Sequence, residues 1–441
     1  MKIFIIGAGQ VGATIVQALH AEHDVTVFDL DEERLAAISQ RYDVATIEGN
    51  GASRRVLSNA GISTADLLIA CTSRDESNIV AAMISKACSG RTTTVVRTSN
   101  PEYLEVWREG QLDVDFIVSS EIETAHAISR TIGVPAARQT DVFAEGQVQM
   151  VEFDVTAKAD SSILGTPLRE ARIPPDSRVA AIIRGEDVVI PRGDEEIKHG
   201  DRIVVIGSPQ AAQAWGELIA PGTGTVRDVV IFGAGRAGTA VARMLLEQGI
   251  TVRMIEASRE RAQIVSNELP AARVYHATGF DPDFLERERI AGAEVAVFAM
   301  RDDMKNHFAA SLAKVHGAKF TVAIVHDASS QEVFEYAGVD VTVNPRQITA
   351  EEIVRFAHDP RTQQVVMLEG DRFEVLDITT RRDSEYVGLA FKEMPIRGAV
   401  IGAIVRDGDA VFPRSDEVLR PGDRVIVFTE SQRVQEVEKA L

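Results

Sequence analysis

Two glycine-rich stretches decide the fold of this chain of 441 residues: Gly7-Ala8-Gly9-Gln10-Val11-Gly12 and Gly233-Ala234-Gly235-Arg236-Ala237-Gly238. Each follows a short apolar run and opens a segment with helical periodicity, the context that makes G-x-G-x-x-G spacing informative. In such a unit the first glycine permits the bend, the second lets a phosphate approach the backbone, and the third allows the helix to pack closely. Both stretches are therefore predicted to be phosphate-binding turns of Rossmann-type domains, with the phosphate at the helix N-terminus.

The apolar runs that surround each turn recur in the same order in both halves of the chain. Six runs in each half alternate with helix-length segments, which predicts two doubly wound parallel sheets in an α/β protein. The first-half strands are predicted at Lys2–Ile6, Val25–Phe28, Val44–Ile47, Leu67–Cys71, Thr93–Arg97 and Phe116–Val118. Those of the second half are predicted at Val229–Phe232, Thr251–Ile255, Arg273–Tyr275, Val295–Ala299, Phe320–Val325 and Val341–Val343.

A smaller segment follows each Rossmann unit, with short alternating strands, Gly-Asp turns and a closing helix, and is predicted to be a small α+β module. Residues 179–192 parallel residues 400–414, and His199-Gly200-Asp201-Arg202 parallels Pro421-Gly422-Asp423-Arg424. A linker is predicted at Ala220-Pro221-Gly222-Thr223-Gly224-Thr225. The chain is thus interpreted as a tandem duplication with Rossmann domains at 1–136 and 226–360 and small modules at 140–221 and 362–441.

Composition and charge narrow the function classes. A formal net charge of −19 without a basic stripe argues against nucleic acid as a partner. Hydrophobic runs fall short of the roughly 20 residues that cross a bilayer, and the first residues lack the pattern of a targeting segment, so a cytoplasmic location is expected. Cys71 and Cys88 are interpreted as packing residues, and the nine scattered histidines predict no catalytic metal.

An acidic residue ends the second strand of each half. Asp29 and Glu256 stand where the Rossmann fingerprint places the carboxylate that accepts both ribose hydroxyls of an adenosine. The alternative is a solvated charge at a strand end. A carboxylate at this position disfavours the 2′-phosphate of NADP at either site.

Polar loops follow the third and fourth strands of the first half. Asn50, within Gly49-Asn50-Gly51-Ala52-Ser53, is predicted either to line the adenine pocket or to form a plain turn with a helix cap. Thr72 and Ser73, at the start of residues 72–78, lie at the carboxyl edge of the predicted sheet, where they can donate to phosphate or ribose oxygens.

Arg97 ends the fifth strand at the same edge, so its guanidinium is predicted to reach a pyrophosphate; the alternative is an ion pair with Asp75 or Glu76. In the second half, the fifth strand ends Ile324-Val325-His326 and the fourth-strand loop is Met300-Arg301-Asp302-Asp303-Met304. The arginine and the Thr-Ser pair are missing there, so the two sites are predicted to be unequal.

The glycine turn, Asp29, Gly49-Asn50-Gly51, residues 72–78 and the tandem arrangement together resemble the TrkA family, the nucleotide-binding regulators of Trk potassium uptake that are built from RCK domains. The resemblance covers the whole chain. It implies that the first copy contacts nucleotide through Gly7, Ala8, Gly9, Gln10, Val11, Asp29, Thr72, Ser73 and Arg97, and the second through Gly233–Ala237 and Glu256. NAD(H), ATP or ADP would be the ligands, a membrane-embedded potassium-transporting subunit the partner, and a homo-oligomer the assembly.

The expected function is regulation of that partner by a nucleotide-dependent shift between conformations, without chemistry on the nucleotide. Two other functions stay open: an NAD-dependent oxidoreductase, because Rossmann domains serve many enzymes, and a nucleotide-sensing subunit of another cation channel or antiporter. The small modules are interpreted as structural units for dimerisation, with a second ligand site as the alternative.

Overall fold

The computed structural model describes residues 1–134, 136–185, 187–222, 224, 226–290, 293–357, 361–368, 372–391, 394, 398–413 and 416–441. Thr223 and Thr225 of the predicted linker, residue 360 at a predicted domain end, and residues 186 and 414 of the paralleled stretches lie outside this part. The chain forms two compact units. Unit 1 comprises Met1–Ala125, Val325–Ala328 and Asn344–His358, and unit 2 comprises His126–Ile324, Ser329–Val343 and Asp359–Leu441.

Unit 1 is built on the first predicted sheet. Its strands are β1 (Lys2–Ile6), β2 (Asp24–Asp29), β3 (Ala45–Glu48), β4 (Leu67–Ala70), β5 (Thr93–Thr98) and β6 (Phe116–Ser119). Helices α1 (Gln10–Leu19), α2 (Glu32–Ser39), α3 (Arg54–Asn59), α4 (Asp75–Cys88) and α5 (Pro101–Arg108) alternate with them. All strand pairs are parallel and the order is β3-β2-β1-β4-β5-β6. The predicted doubly wound topology is confirmed, and its reversal between β1 and β4 is the position where such sheets bind ligands.

Helix α6 (Ser120–Gly133) leaves this sheet and leads into a five-stranded antiparallel sheet in unit 2. The strands are β7 (Ala137–Phe143), β8 (Val148–Asp154), β9 (Ser177–Arg184), β10 (Asp187–Val189) and β11 (Arg202–Gly207), in the order β10-β9-β11-β8-β7. Helix α7 (Pro209–Ile219) closes the module and buries Trp215 completely against it. The prediction of a small α+β module after the first Rossmann unit is confirmed.

The second parallel sheet, in unit 2, repeats the first. It consists of β12 (Asp228–Phe232), β13 (Thr251–Glu256), β14 (Arg273–His276), β15 (Val295–Phe298), β16 (Phe320–Ile324) and β17 (Val341–Val343), in the order β14-β13-β12-β15-β16-β17. The helices are α8 (Arg236–Glu247), α9 (Arg259–Glu268), α10 (Pro282–Arg287), α11 (Asp303–Val315), α12 (Gln331–Tyr336) and α13 (Pro345–Val354). Equal strand order and pairing identify equivalent residues in the two copies.

The second small module contains β18 (Thr362–Leu368), β19 (Phe373–Thr379), β20 (Ala399–Arg406), β21 (Asp409–Val411), β22 (Arg424–Glu430) and α14 (Val434–Ala440). Its sheet packs on that of the first module through a shared apolar core, and Gly402 is needed there because a Cβ at this position would lie 2.5 Å from Ile206. Each Gly-Asp turn supplies a buried carboxylate, Asp201 to Arg184 and Asp423 to Arg406, at 2.7 Å and 2.8 Å. The matching Gly-Asp stretches of the two modules thus correspond to the same arginine–aspartate ion pair in each module.

The two units do not coincide with the two halves of the sequence. Helix α13, which follows β17 of the second sheet, belongs to unit 1 and packs on α1. Residues 126–133 of α6, which follows the first sheet, belong to unit 2. Each half therefore contributes helical residues to the unit that contains the other half's parallel sheet.

No helix among the described residues combines the length and the apolar character needed to span a membrane.

Candidate functional site

The three glycines of the first turn are required for different reasons. Gly7 has φ +114°, and a Cβ there would lie 3.0 Å from the backbone nitrogen of Thr72. A Cβ on Gly12 would lie only 1.9 Å from the carbonyl oxygen of Gly7. A Cβ on Gly9 would meet no protein atom within 4 Å. The fold itself thus demands Gly7 and Gly12, whereas Gly9 leaves open the space above the backbone that a phosphate needs.

The second turn has the same geometry. Gly233 has φ +101°, and a Cβ on Gly238 would lie 2.0 Å from the carbonyl oxygen of Gly233, while Gly235 is as open as Gly9. Helices α1 and α8 begin directly after Gly9 and Gly235, which supply no side chain to cap them. Backbone N–H groups of the first helical turn therefore face the open space, an arrangement that suits a phosphate.

The strand-end acids are hydrogen-bonded to the glycine turns. Asp29 Oδ2 accepts from Ala8 N at 2.6 Å and Oδ1 from Asp31 N at 3.0 Å. Glu256 repeats this, with Oε2 2.9 Å from Ala234 N and Oε1 2.8 Å from Ser258 N. Both carboxylates are fixed beside a turn, and each oxygen retains a lone pair for a ribose hydroxyl.

The Asn50 side chain forms a local turn. Its Oδ1 accepts from Ala52 N at 2.9 Å, and the residue is exposed. Gly51 allows this loop to lie against β1, because a Cβ there would be 2.2 Å from Ile6 Cγ2. This geometry matches the turn alternative for Asn50, and contact of Asn50 with adenine stays a prediction.

Asn78, a buried residue that the sequence interpretation did not single out, holds the loop after β4. Its Oδ1 accepts from Thr72 N at 2.9 Å and from Thr72 Oγ1 at 2.6 Å. Its Nδ2 donates to the carbonyl oxygens of Thr72 and Arg97, each at 3.0 Å. The Thr72 proton is thereby directed into the protein, whereas Ser73 beside it is exposed.

Arg97 lies at the same edge of the sheet and makes three hydrogen bonds to uncharged groups. Nε donates to Ser120 Oγ at 2.9 Å, Nη1 to the Thr72 carbonyl at 3.3 Å and Nη2 to Ser99 Oγ at 3.5 Å. Asp75, considered as an ion-pair partner, instead accepts from Ser99 N, Asn100 N and Thr98 Oγ1, and Glu76 accepts from Tyr103. The guanidinium is thus fixed without having its charge neutralised by either of these carboxylates.

In the second copy, Asn306 repeats the role of Asn78: it accepts from Met300 N at 3.0 Å and donates to Met300 O and Ile324 O, both at 2.9 Å. These contacts make Ile324 the equivalent of Arg97. Ile324 is 1% exposed and carries no charge. A different arginine, Arg261 on α9, donates to the carbonyl oxygen of Ala234 in the glycine turn at 2.7 Å.

Cys71 directly follows β4. Its burial raises the pKa of its thiol to about 12. Its Sγ lies 3.7 Å from the Gly7 carbonyl oxygen, so the thiol packs under the turn rather than facing a ligand. Within the described residues, no three His, Cys, Asp or Glu side chains are grouped to hold a metal ion.

Two kinds of signal were missed in the sequence. Asn78 and Asn306 occupy the same position after the same strand, so the duplication itself marks them. Leu30 follows Asp29 directly and is 72% exposed, which places an apolar surface beside the strand-end acid. Its equivalent in the second copy is Ala257, because Glu256 is equivalent to Asp29.

The two sheets with open glycine turns and fixed acids define a tandem Rossmann-type protein with two candidate sites for a phosphate-bearing nucleotide. Comparison with known proteins gives the family. The TrkA-N domain model matches residues 3–120 and 229–345, and the TrkA-C domain model matches residues 151–220 and 375–441. The chain belongs to the TrkA family.

Curated relatives match over the whole chain. Trk system potassium uptake protein TrkA homolog 1 of Methanosarcina mazei is 33% identical over 449 residues, covering 100% of this chain and 99% of its own. Trk system potassium uptake protein TrkA of Haemophilus influenzae is 29% identical over 453 residues, covering 100% and 98%. A solved structure of the GsuK channel bound to NAD has a TM-score of 0.61 at 17% identity and covers 99% of this chain and 78% of that chain. A solved structure of the GsuK RCK domain, at 18% identity, has a TM-score of 0.60 and covers 99% of this chain and 94% of that chain, which confirms the RCK fold.

Proposed function

We propose that this chain is the nucleotide-binding regulatory subunit of a Trk-type potassium transporter. It binds NAD(H) and/or ATP or ADP, and changes the activity of the membrane subunit through a nucleotide-dependent conformational change. The observation that carries the proposal is the open space over Gly9 beside the fixed carboxylate of Asp29, in a chain whose relatives are named as Trk potassium uptake proteins.

Site 1, the turn at Gly7–Gly12 with the edge of its sheet, holds the nucleotide as follows. The N–H groups at the start of α1 bind the phosphates over Gly9, and Asp29 accepts the ribose hydroxyls. Arg97 and Ser73 bind the far end of the phosphates or the second nucleoside. Thr72 acts chiefly through the loop that Asn78 holds, and Asn50 supports the adenine side by shaping its turn.

Site 2, the turn at Gly233–Gly238 with Glu256, has the same phosphate and ribose groups but a buried isoleucine where site 1 has its arginine. An uncharged Ile324 cannot bind a pyrophosphate, so the two sites differ in affinity for NAD(H). Because the two sites differ in nucleotide affinity, the regulator can respond to two different nucleotide concentrations.

The mechanism is a population shift. A nucleotide that binds one arrangement of the chain more tightly than another stabilises that arrangement, and the transporter responds to it. The nucleotide is not consumed. The partner is a membrane-embedded potassium-transporting subunit, and the chain acts as a homo-oligomer, a dimer or tetramer, at the inner face of the membrane.

The proposal is tested with the full-length chain and its Trk membrane subunit in potassium-loaded vesicles. We expect potassium flux to depend on added NADH, ATP or ADP, while the absorbance of NADH stays constant. Flux that ignores all three nucleotides contradicts regulation. Steady NADH oxidation with a carbonyl substrate would instead identify an oxidoreductase.

A further inference from the structure

Two buried hydroxyl groups connect Arg97 of site 1 to helix α13. Ser120 Oγ lies 2.9 Å from Arg97 Nε and 3.0 Å from Thr349 Oγ1. Thr349 Oγ1 lies in turn 2.6 Å from the carbonyl oxygen of Pro345. Ser120 is 4% exposed and Thr349 is completely buried. All four residues belong to unit 1.

The protons fix the direction of this chain of hydrogen bonds. Arg97 Nε can only donate, so Ser120 Oγ accepts from it. Thr349 donates its single proton to the nearer carbonyl of Pro345, and the Ser120 proton is then available for Thr349 Oγ1. Each hydroxyl donates once and accepts once, so the buried groups are satisfied and polarise one another.

The duplication provides an internal comparison. Parallel pairing places Val118 beside Arg97 and Val343 beside Ile324, which makes Pro345 the equivalent of Ser120 and Thr124 the equivalent of Thr349. Thr124 Oγ1 bonds the Ser120 carbonyl at 2.6 Å, one helical turn back, as Thr349 bonds Pro345. At the positions equivalent to Arg97 and Ser120 the second copy has Ile324 and Pro345, whose side chains form no hydrogen bonds.

We infer that Ser120 and Thr349 are positioning residues that hold Arg97 at site 1, so that site 1 is complete only when α13 is packed on α1. The inference rests on the proposed role of Arg97 in nucleotide binding. Three of the five N–H groups of the Arg97 guanidinium donate to protein groups, which fixes its orientation. The remaining N–H groups can donate to phosphate oxygens. If packed α13 favours nucleotide binding at site 1, then bound nucleotide favours the packed position of α13 to the same extent, because coupling is reciprocal. Helix α13 follows β17, so this coupling links site 1 to the second half of the chain.

The test compares Thr349→Val with Thr349→Ser in the full-length chain. Valine keeps the branched shape and removes the hydroxyl, whereas serine keeps the hydroxyl. We expect the NADH dissociation constant, from fluorescence titration, to rise about fivefold for Thr349→Val and to stay within about twofold for Thr349→Ser. Thr124→Val is the matched control: it loses the same bond to the carbonyl one turn back, and its NADH affinity should equal that of the wild type.

Melting temperatures separate positioning from stability, because both valine variants should lose similar stability while only Thr349→Val loses affinity. Equal NADH affinity in Thr349→Val, Thr124→Val and the wild type would overturn the positioning role and leave the proposed function intact. A Thr349→Ser variant as weak as Thr349→Val would also contradict it. A wild-type chain that binds none of NADH, ATP and ADP would overturn the proposed function itself.

Discussion

At the scale of single residues, the glycine turns separate what the fold needs from what a ligand needs. A side chain on Gly12 would collide with the Gly7 carbonyl, whereas a side chain on Gly9 would collide with nothing in the protein. The glycine spacing could be predicted from the sequence, because both the close packing at Gly12 and the open space at Gly9 require glycine at fixed positions. The link from Arg97 through Ser120 to Thr349 could not, because Ser120 and Thr349 are 229 positions apart and only the fold brings them together.

The first prediction uses this difference. Gly9→Ala should leave the melting temperature unchanged, because φ −72° and ψ −172° at Gly9 suit alanine, but should weaken NADH binding at site 1 at least about tenfold, or about 1.4 kcal/mol. Gly12→Ala should instead destabilise the fold by more than about 3 kcal/mol, since the backbone must move. Thermal melting and NADH titration check both. A Gly9→Ala variant with normal affinity would argue against phosphate binding at this turn.

Cys71 gives a second prediction at this scale. With its pKa raised to about 12 by burial, the thiol stays protonated at pH 8, so maleimide should modify half-buried Cys88 well before Cys71. The unfolded thiol ionises near pH 9, so the stability that Cys71 contributes is complete below that pH and is lost as pH rises toward 12. Mass spectrometry of the labelled peptides, with a urea-unfolded control, measures the order; fast labelling of Cys71 in folded protein would contradict its burial.

At the scale of elements, the edge of each parallel sheet depends on one buried asparagine. Asn78 connects the loop after β4 to the end of β5, and Asn306 does the same after β15. The strands themselves were predictable, because buried parallel strands are continuous apolar runs. The loop conformation was not, since it depends on an amide inside a helix, and the partners of that amide lie just after one strand and at the end of the next.

Asn78→Ala and Asn306→Ala should therefore behave alike in stability and differently in binding. Each removes the partners of a backbone N–H and two carbonyl groups, which should cost about 3 kcal/mol in urea unfolding. Only Asn78→Ala should weaken NADH binding at site 1, because only it releases Thr72 and the end of β5. Equal losses of NADH affinity in both variants would show that the effect is general destabilisation.

At the scale of the whole molecule, a duplicated sequence has produced two unequal candidate sites, and each half contributes helical residues to the unit that contains the other half's parallel sheet. The duplication, the four sheets and the two acids follow from patterns local to the chain. The membership of α13 in unit 1 does not, because the sequence of a helix does not show which part of the protein will bury it. Through this exchange, Thr349 of the second half lies within hydrogen-bonding distance of Ser120 beside the proposed site 1.

The central claim is that nucleotide binding at site 1 controls potassium transport. Its most direct test is potassium flux through the Trk membrane subunit in vesicles, measured with the wild-type chain and with Gly9→Ala across a range of NADH concentrations. The account predicts that flux responds to NADH with the wild-type chain and that the response with Gly9→Ala is absent or shifted to at least about tenfold higher NADH. An unshifted response with Gly9→Ala, in protein shown to be folded, would contradict it.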